Sequence, residues 1–188
     1  SSNNKYLELY NGTGATVDLS QYALALHTNG NVTPQTPVAL SGTLAPGATV
    51  LYRNGSANLL GTTGIVNAAM NFNGNDPVTL LKNGVPVDRI GTLGVDVLFG
   101  ENVTLRRKST VINPNLTYNA ADWDSFPQNT SADLGAHTMN NAAPSFVSGY
   151  ENLTVNGTTQ TVSGLTENTT YYYRVRAFAP TSTSANSN

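Results

Sequence analysis

Short apolar runs, cut by Asn, Gly, Ser, Thr and Pro, recur along the whole chain. Most alternate with a period of two, which puts successive side chains on opposite faces of a strand. Tyr6 to Tyr10 predicts a strand with Leu7 and Leu9 on one face and Tyr6, Glu8 and Tyr10 on the other. Val17-Asp18-Leu19-Ser20 leads into a strand over Tyr22 to His27, where Tyr22, Leu24 and Leu26 share a face. Val38-Ala39-Leu40 is a short strand. Leu44-Ala45-Pro46-Gly47 then carries Pro and Gly in the middle positions of a type II turn. Thr49 to Tyr52 predicts a strand with Val50 and Tyr52 on one side. Residues 54–71 read as a loop with one helical turn near Ala68-Ala69-Met70.

The clearest element follows. Val78 to Lys82 and Val85 to Ile90 are apolar runs separated only by Asn83-Gly84. Both turn residues tolerate the positive φ of a type I′ hairpin. A regular hairpin then sets Lys82 opposite Val85, Leu80 opposite Val87 and Val78 opposite Arg89. Val78, Leu80, Val85 and Val87 would form the core face, with Thr79 and Asp88 on the polar one. Pro86 lacks an N–H, so the outer side of its strand is an edge or a bulge. Asn73-Gly74-Asn75-Asp76-Pro77 is a dense turn cluster before the hairpin. After it comes a Gly-rich connection from Gly91 to Gly100, then a strand over Asn102 to Lys108 with Val103 and Leu105 inward. Asn113-Pro114-Asn115 breaks that strand, and Asn119 to Trp123 reads as a short capped turn. Trp123, the only Trp, is read as a lid over the end of the sheets.

These runs carry a family resemblance. Phe72 to Leu81, Asn83-Gly84 and Val87-Asp88-Arg89-Ile90-Gly91 resemble the signature hairpin of the bacterial lamin-tail domain. Lys5 to Gly14, followed by Val17 to Tyr22, resembles that family's opening, and Gly42 to Gly47 its middle turn. Leu105-Arg106-Arg107-Lys108 and Asp122-Trp123-Asp124 resemble its closing strand and tail, so the likeness spans residues 1–138. It implies an immunoglobulin-like β-sandwich with no catalytic residues, found in secreted multidomain bacterial proteins, sometimes beside nucleases or phosphatases. Residues 139–144 read as a linker. Beyond them, Thr159 to Ala177 resembles the later strands of a fibronectin type III domain, with Tyr171, Tyr173, Val175 and Ala177 on one core face. The expected fold class is therefore all-β, a lamin-tail sandwich and then, over 145–188, part of a fibronectin type III-like sandwich.

Both ends look cut. A sandwich of this kind takes about 100 residues, and the C-terminal stretch is too short for one. The strand that usually precedes this family's opening is also missing. A half-sandwich exposes its inner face and unpaired edges. The chain is read as a piece of a longer protein; packing of the half-domain against the first domain and strand donation by a neighbouring chain are the two other ways to cover it.

Composition narrows the function. The chain has 188 residues, of which 11% are charged, with a formal net charge of −2. That is not the clustered basic excess of a nucleic-acid binder. There is no Cys, hence no disulfide and no thiolate metal site. No run reaches the length of a membrane span, and no signal peptide pattern is present.

Few residues offer chemistry. Asn73, Asn75 and Asp76 alternate oxygen ligands as a calcium loop does, but no Glu follows at the EF-hand distance. Asp122 and Asp124 flank Trp123 and pair two carboxylates, though caps at a turn use the same residues. No cofactor is expected; calcium, or sodium at the 73–76 turn, is the ion these groups would suit. Arg106-Arg107-Lys108 with Arg89 forms the only basic cluster, suited to an acidic glycan or a phosphate, or to a plain solvated strand face. His27 and His137 have no zinc spacing, and no Gly-x-Ser-x-Gly elbow or phosphate loop occurs. Tyr171 to Tyr173 offer an aromatic platform, with core as the simpler reading. Asn11, Asn102 and Asn152 start Asn-x-Ser/Thr sequons that an Asn- and Thr-rich chain produces by chance.

The reading is a non-catalytic module of a secreted or cell-surface bacterial protein, serving in spacing, adhesion or surface assembly. Its partners would be other domains of the same polypeptide, or neighbouring copies met through exposed strand edges, with no nucleic acid and no membrane span. Two alternatives stand beside it. One is the accessory region of a secreted hydrolase (nuclease or phosphatase) whose catalytic domain lies elsewhere; the other is a carbohydrate- or calcium-binding module.

Overall fold

The computed structural model describes residues 3–140, 147, 149–150, 153–167, 171, 173, 175–179 and 182–184. The expected linker residues 141–144, Asn152 and Tyr172 lie outside these. The chain divides into two compact units, Ser1–Asn141 and Ala142–Asn188.

The first unit runs through strands β1 (Tyr6–Tyr10), β2 (Val17–Asp18), β3 (Tyr22–Leu26), β4 (Val38–Ala39), β5 (Thr43–Leu44) and β6 (Thr49–Arg53). It continues through β7 (Ile65–Val66), β8 (Val78–Lys82), β9 (Val85–Ile90), β10 (Val103–Arg107) and β11 (Trp123–Pro127). Helix is confined to single 3-10 turns at Leu19–Gln21, Thr28–Gly30, Ala68–Asn71 and Ala120–Asp122 among the described residues. None of them is long and apolar enough to cross a membrane.

Two sheets carry the core. One is four-stranded, in the order β4-β3-β8-β9, and all its pairs are antiparallel. The other has the order β1-β6-β7, with β6 antiparallel to β1 and parallel to β7. Alternation decides what each contributes. Leu24, Leu26 and Val78 come from the first sheet; Leu7, Leu9, Val50 and Tyr52 come from the second. Leu19, Leu40, Leu44, Ala69 and Met70 from the connections join the same cluster. Two sheets closed on one apolar core make a β-sandwich. Two-stranded pairs, β2 with β5 and β10 with β11, complete the unit.

The hairpin forms where the sequence places it, with Asn83 at φ 49° and Gly84 at φ 79°. Its register changes midway. Lys82 faces Val85 and Leu81 faces Pro86, but a bulge then sets Asp88 opposite Leu80 and Ile90 opposite Val78. Ile90, not Val87, therefore packs against the core, and Val85 stays 62% exposed. Pro86 gives the physical reason, since a bulge at an edge strand absorbs its missing N–H. Thr79 lies on the other face yet is only 1% exposed, so that face is covered too. Val103, expected inward, is exposed at the start of β10.

The many asparagines shape the loops. Asn11, Asn31, Asn54, Asn67, Asn115, Asn119 and Asp18 each accept, on a side-chain oxygen, the backbone N–H two residues on. This Asx turn replaces a backbone partner that the strand ladders cannot supply. Asn11 is buried and also donates to the carbonyls of Leu44 and Ala15, tying the first loop to β5. Gly30, at φ 71°, sits so tightly that an added Cβ would land 1.8 Å from the Val95 carbonyl oxygen. No side chain fits there.

In the second unit, β12 (Phe178–Ala179) pairs with β13 (Ser182–Thr183). Tyr171, Tyr173 and Val175 do not form the expected core face: all three are exposed, Tyr173 at 88%. The described residues of this unit provide no opposing sheet, so their alternation has nothing to bury against.

Candidate functional site

β10 and β11 carry the basic cluster, and their pairing determines where each cation goes. Arg106 faces Asp124 and Arg107 faces Trp123 in the antiparallel register. Neighbouring strand residues point to opposite faces, so the cluster is split. Arg106 forms an ion pair with Asp133 at 2.8 Å, donates to the Ala132 carbonyl and lies over the Phe126 ring. Arg107 takes both oxygens of Asp88, at 2.5 and 3.0 Å, while its guanidinium sits 4.6 Å from the Trp123 ring centre. This two-pronged pairing on an aromatic face suits the planar fork of Arg. Lys108 reaches Asp124 at 3.9 Å. Arg89, on β9, donates through Nε to Thr79 Oγ1 and through Nη1 to the Leu116 carbonyl. Arg89, Arg106, Arg107 and Lys108 therefore do not converge on one ligand position.

Asp88 is the hub that the sequence did not mark. Besides Arg107, its Oδ1 accepts the backbone N–H groups of Arg89 and Asn115. One carboxylate thus joins β9, β10 and the 113–117 segment. Trp123 is less a lid than the flat base for Arg107, and it continues a row of rings through Tyr118 to Phe99.

The oxygen-rich turn before β8 is likewise committed to structure. Asp76 is 2% exposed, and its two oxygens accept the backbone N–H groups of Asn29 and Asn73, both at 2.6 Å. Asn75 donates to Asp96 and to the side-chain oxygen of Asn29. Asn73, Asn75 and Asp76 thus fasten the 28–30 turn to the 91–100 connection. Asp122 accepts from Asn119 within its 3-10 turn. Among the described residues, no three His, Asp or Glu side chains gather as a metal ion would require.

The histidines lie in separate settings. His27 is buried and hydrogen-bonded to the Asn31 carbonyl and to Thr79. His137 stands edge-on to Tyr10. It belongs to a strap that follows β1 in matched steps: the Gly135 N–H donates to Glu8 Oε2, His137 meets Tyr10, and Met139 packs against Gly12. Burial lowers the pKa of His137, and the Glu8 carboxylate opposes that shift.

Asp88, Thr79 and the strap escaped the sequence reading because their partners lie far along the chain. Only the charge at position 88, next to Arg89, signalled that the outer strand carries more than a solvated face. The arrangement can brace loops and stiffen the sheets; the Thr79 hydroxyl does meet the His27 imidazole, but both are buried, at 1% and 4% exposed.

The family model described as Lamin Tail Domain matches residues 1–94, which take in β1 to β9. The stretches after residue 94 that resemble the same family, and the fibronectin-like stretch, lie outside that match. No curated protein matches the chain significantly.

Proposed function

The chain belongs to the lamin tail domain family, and on that premise we propose that it is a non-catalytic structural module of a secreted or cell-surface bacterial protein. It spaces, attaches or assembles neighbouring domains. The observation that carries this reading is how the polar groups are used. Most of the charged side chains put forward as ligands are tied to another part of the same fold, as with Arg107 on Asp88 or Asp76 on the 28–30 turn. Such a surface supports its own loops and leaves contact to strand edges and apolar faces.

The second unit is read as part of a fibronectin type III-like sandwich, supported by the alternation of Tyr171, Tyr173 and Val175. Its exposed apolar face would be covered by further sheet from its own polypeptide or from a neighbouring copy.

Light scattering over a range of concentrations tests the assembly role. Growth in mass with concentration favours assembly through open edges, and a constant monomer favours a spacer. Incubation with nucleic acid and phosphomonoester substrates tests the rest. Turnover that co-purifies with the protein would overturn the non-catalytic reading.

A further inference from the structure

We infer that His27, Thr79 and Arg89 form an acid-sensitive latch that holds the 113–117 segment against β9. The hydrogen-bond directions are forced. The Asn31 carbonyl, 2.9 Å from His27 Nδ1, can only accept, so Nδ1 carries the proton. In the neutral ring Nε2 is then a bare acceptor, and the Thr79 hydroxyl, 3.0 Å away, donates to it. The same Thr79 oxygen accepts the Arg89 Nε–H at 2.9 Å. Arg89 in turn donates through Nη1 to the Leu116 carbonyl and through its backbone N–H to the Asn115 carbonyl, each at 3.0 Å.

Protonating His27 breaks this order. Nε2 becomes a donor to the second lone pair of the Thr79 oxygen, so two cations converge on one hydroxyl. The Thr79 proton loses its acceptor, and a second cation appears near a guanidinium that stays charged. His27 is only 4% exposed, so water does not compensate. Neither do the charged groups around it. Asp76, from the turn before β8, has both oxygens on backbone N–H groups. Asp88, on β9, is held by Arg107 and by backbone N–H groups. On β8 the only charged residue is Lys82, at its far end, and residues 109–121 contain none. Burial already lowers the His27 pKa, with the Arg89 charge acting in the same direction. The cheapest relief is for Arg89 to let go of the segment.

The test is amide hydrogen exchange on the full chain, corrected for the chemical exchange rate, together with a titration of the His27 ring by NMR. Opening of the segment around Asn115 to Thr117 should grow severalfold between pH 7 and pH 5, because the His27 pKa is held down by burial and by the Arg89 charge in the closed state and rises when Arg89 lets go. The β3 and β8 amides should stay protected. His27→Gln keeps one donor and one acceptor but cannot be protonated, so its segment should show no such pH dependence. Thr79→Val should open the segment at both pH values. Corrected exchange in the natural chain that ignores pH would overturn the latch. So would loss of β3 and β8 protection together with the segment, which is general acid unfolding. A transition that keeps its midpoint in His27→Gln would also overturn it.

Discussion

Two stretches of this protein follow the same pattern and end differently. On β3, Tyr22, Leu24 and Leu26 alternate with Ala, and all three belong to the sandwich core or pack on it. In the second unit, Tyr171, Tyr173 and Val175 alternate just as cleanly and lie exposed. A period of two identifies a face, but only an opposing sheet turns that face into a core. Leu24 has Leu7, Val50 and Tyr52 in the same cluster; Val175 is 63% exposed.

Substitution should separate the two stretches sharply. Leu24→Ala should cost about 3–4 kcal/mol in chemical denaturation of the first unit, because it leaves a cavity in a packed core. Val175→Ala should change the stability of the second unit by no more than about 0.5 kcal/mol. A large loss at Val175 would show that its face is covered in solution. Next in size is the polar hub. Asp88→Ala strands the Arg107 guanidinium and the Asn115 N–H, leaves the Arg89 N–H only the Asn115 carbonyl, and should cost about 2–3 kcal/mol. Because β10 is joined to β9 through this contact, proteolysis after β9 should speed up in the variant while the core strands stay protected.

A smaller, graded loss is expected on acidification. His27 and His137 both have folded pKa values below the ordinary 6.5. The unfolded chain therefore binds protons more readily, and acid favours it. Their contribution is fully present above pH 6.5 and falls away below it, towards the folded values. Thermal melts from pH 7.5 to 5 should show this in the first unit, with a shallower slope in His27→Gln. A small effect belongs to Tyr52, whose ring fills the core while its hydroxyl finds no hydrogen-bond partner among the described residues. Tyr52→Phe should stay within about 1 kcal/mol of the natural protein, on the stabilising side. A marked loss there would reveal a buried water on the hydroxyl.

Much of the sandwich was legible because its signals are local. Asn83-Gly84 fixed the hairpin, Pro46-Gly47 the turn before β6, and Leu7 and Leu9 the inward face of β1. The bulge at Val87 was half-legible: Pro86 announced an irregular edge but not which residue would be skipped. β7 was missed because two residues pairing in parallel across a loop leave no periodic trace. The candidate ligands were left undecided for a related reason. Asp76, Arg106 and Arg107 have the right chemistry for binding, and sequence spacing does not say whether a carboxylate meets an ion or a backbone N–H from residue 29. Whether a polar side chain serves a ligand or a loop depends on contacts between distant segments.

The Asx turns set how the protein meets its surroundings. Seven loop positions are held by short hydrogen bonds to a backbone N–H, six of them from uncharged amides and one from Asp18. Dissolved ions screen charge–charge attraction over distances of about 8–10 Å at ordinary ionic strength, but they barely touch an amide bond of 3 Å. The loops should therefore keep one shape from fresh water to brine. Among the described residues, the Arg106–Asp133 and Lys108–Asp124 pairs at the surface would register the difference. A protein built this way carries its form through changes of salinity by using few charges rather than many.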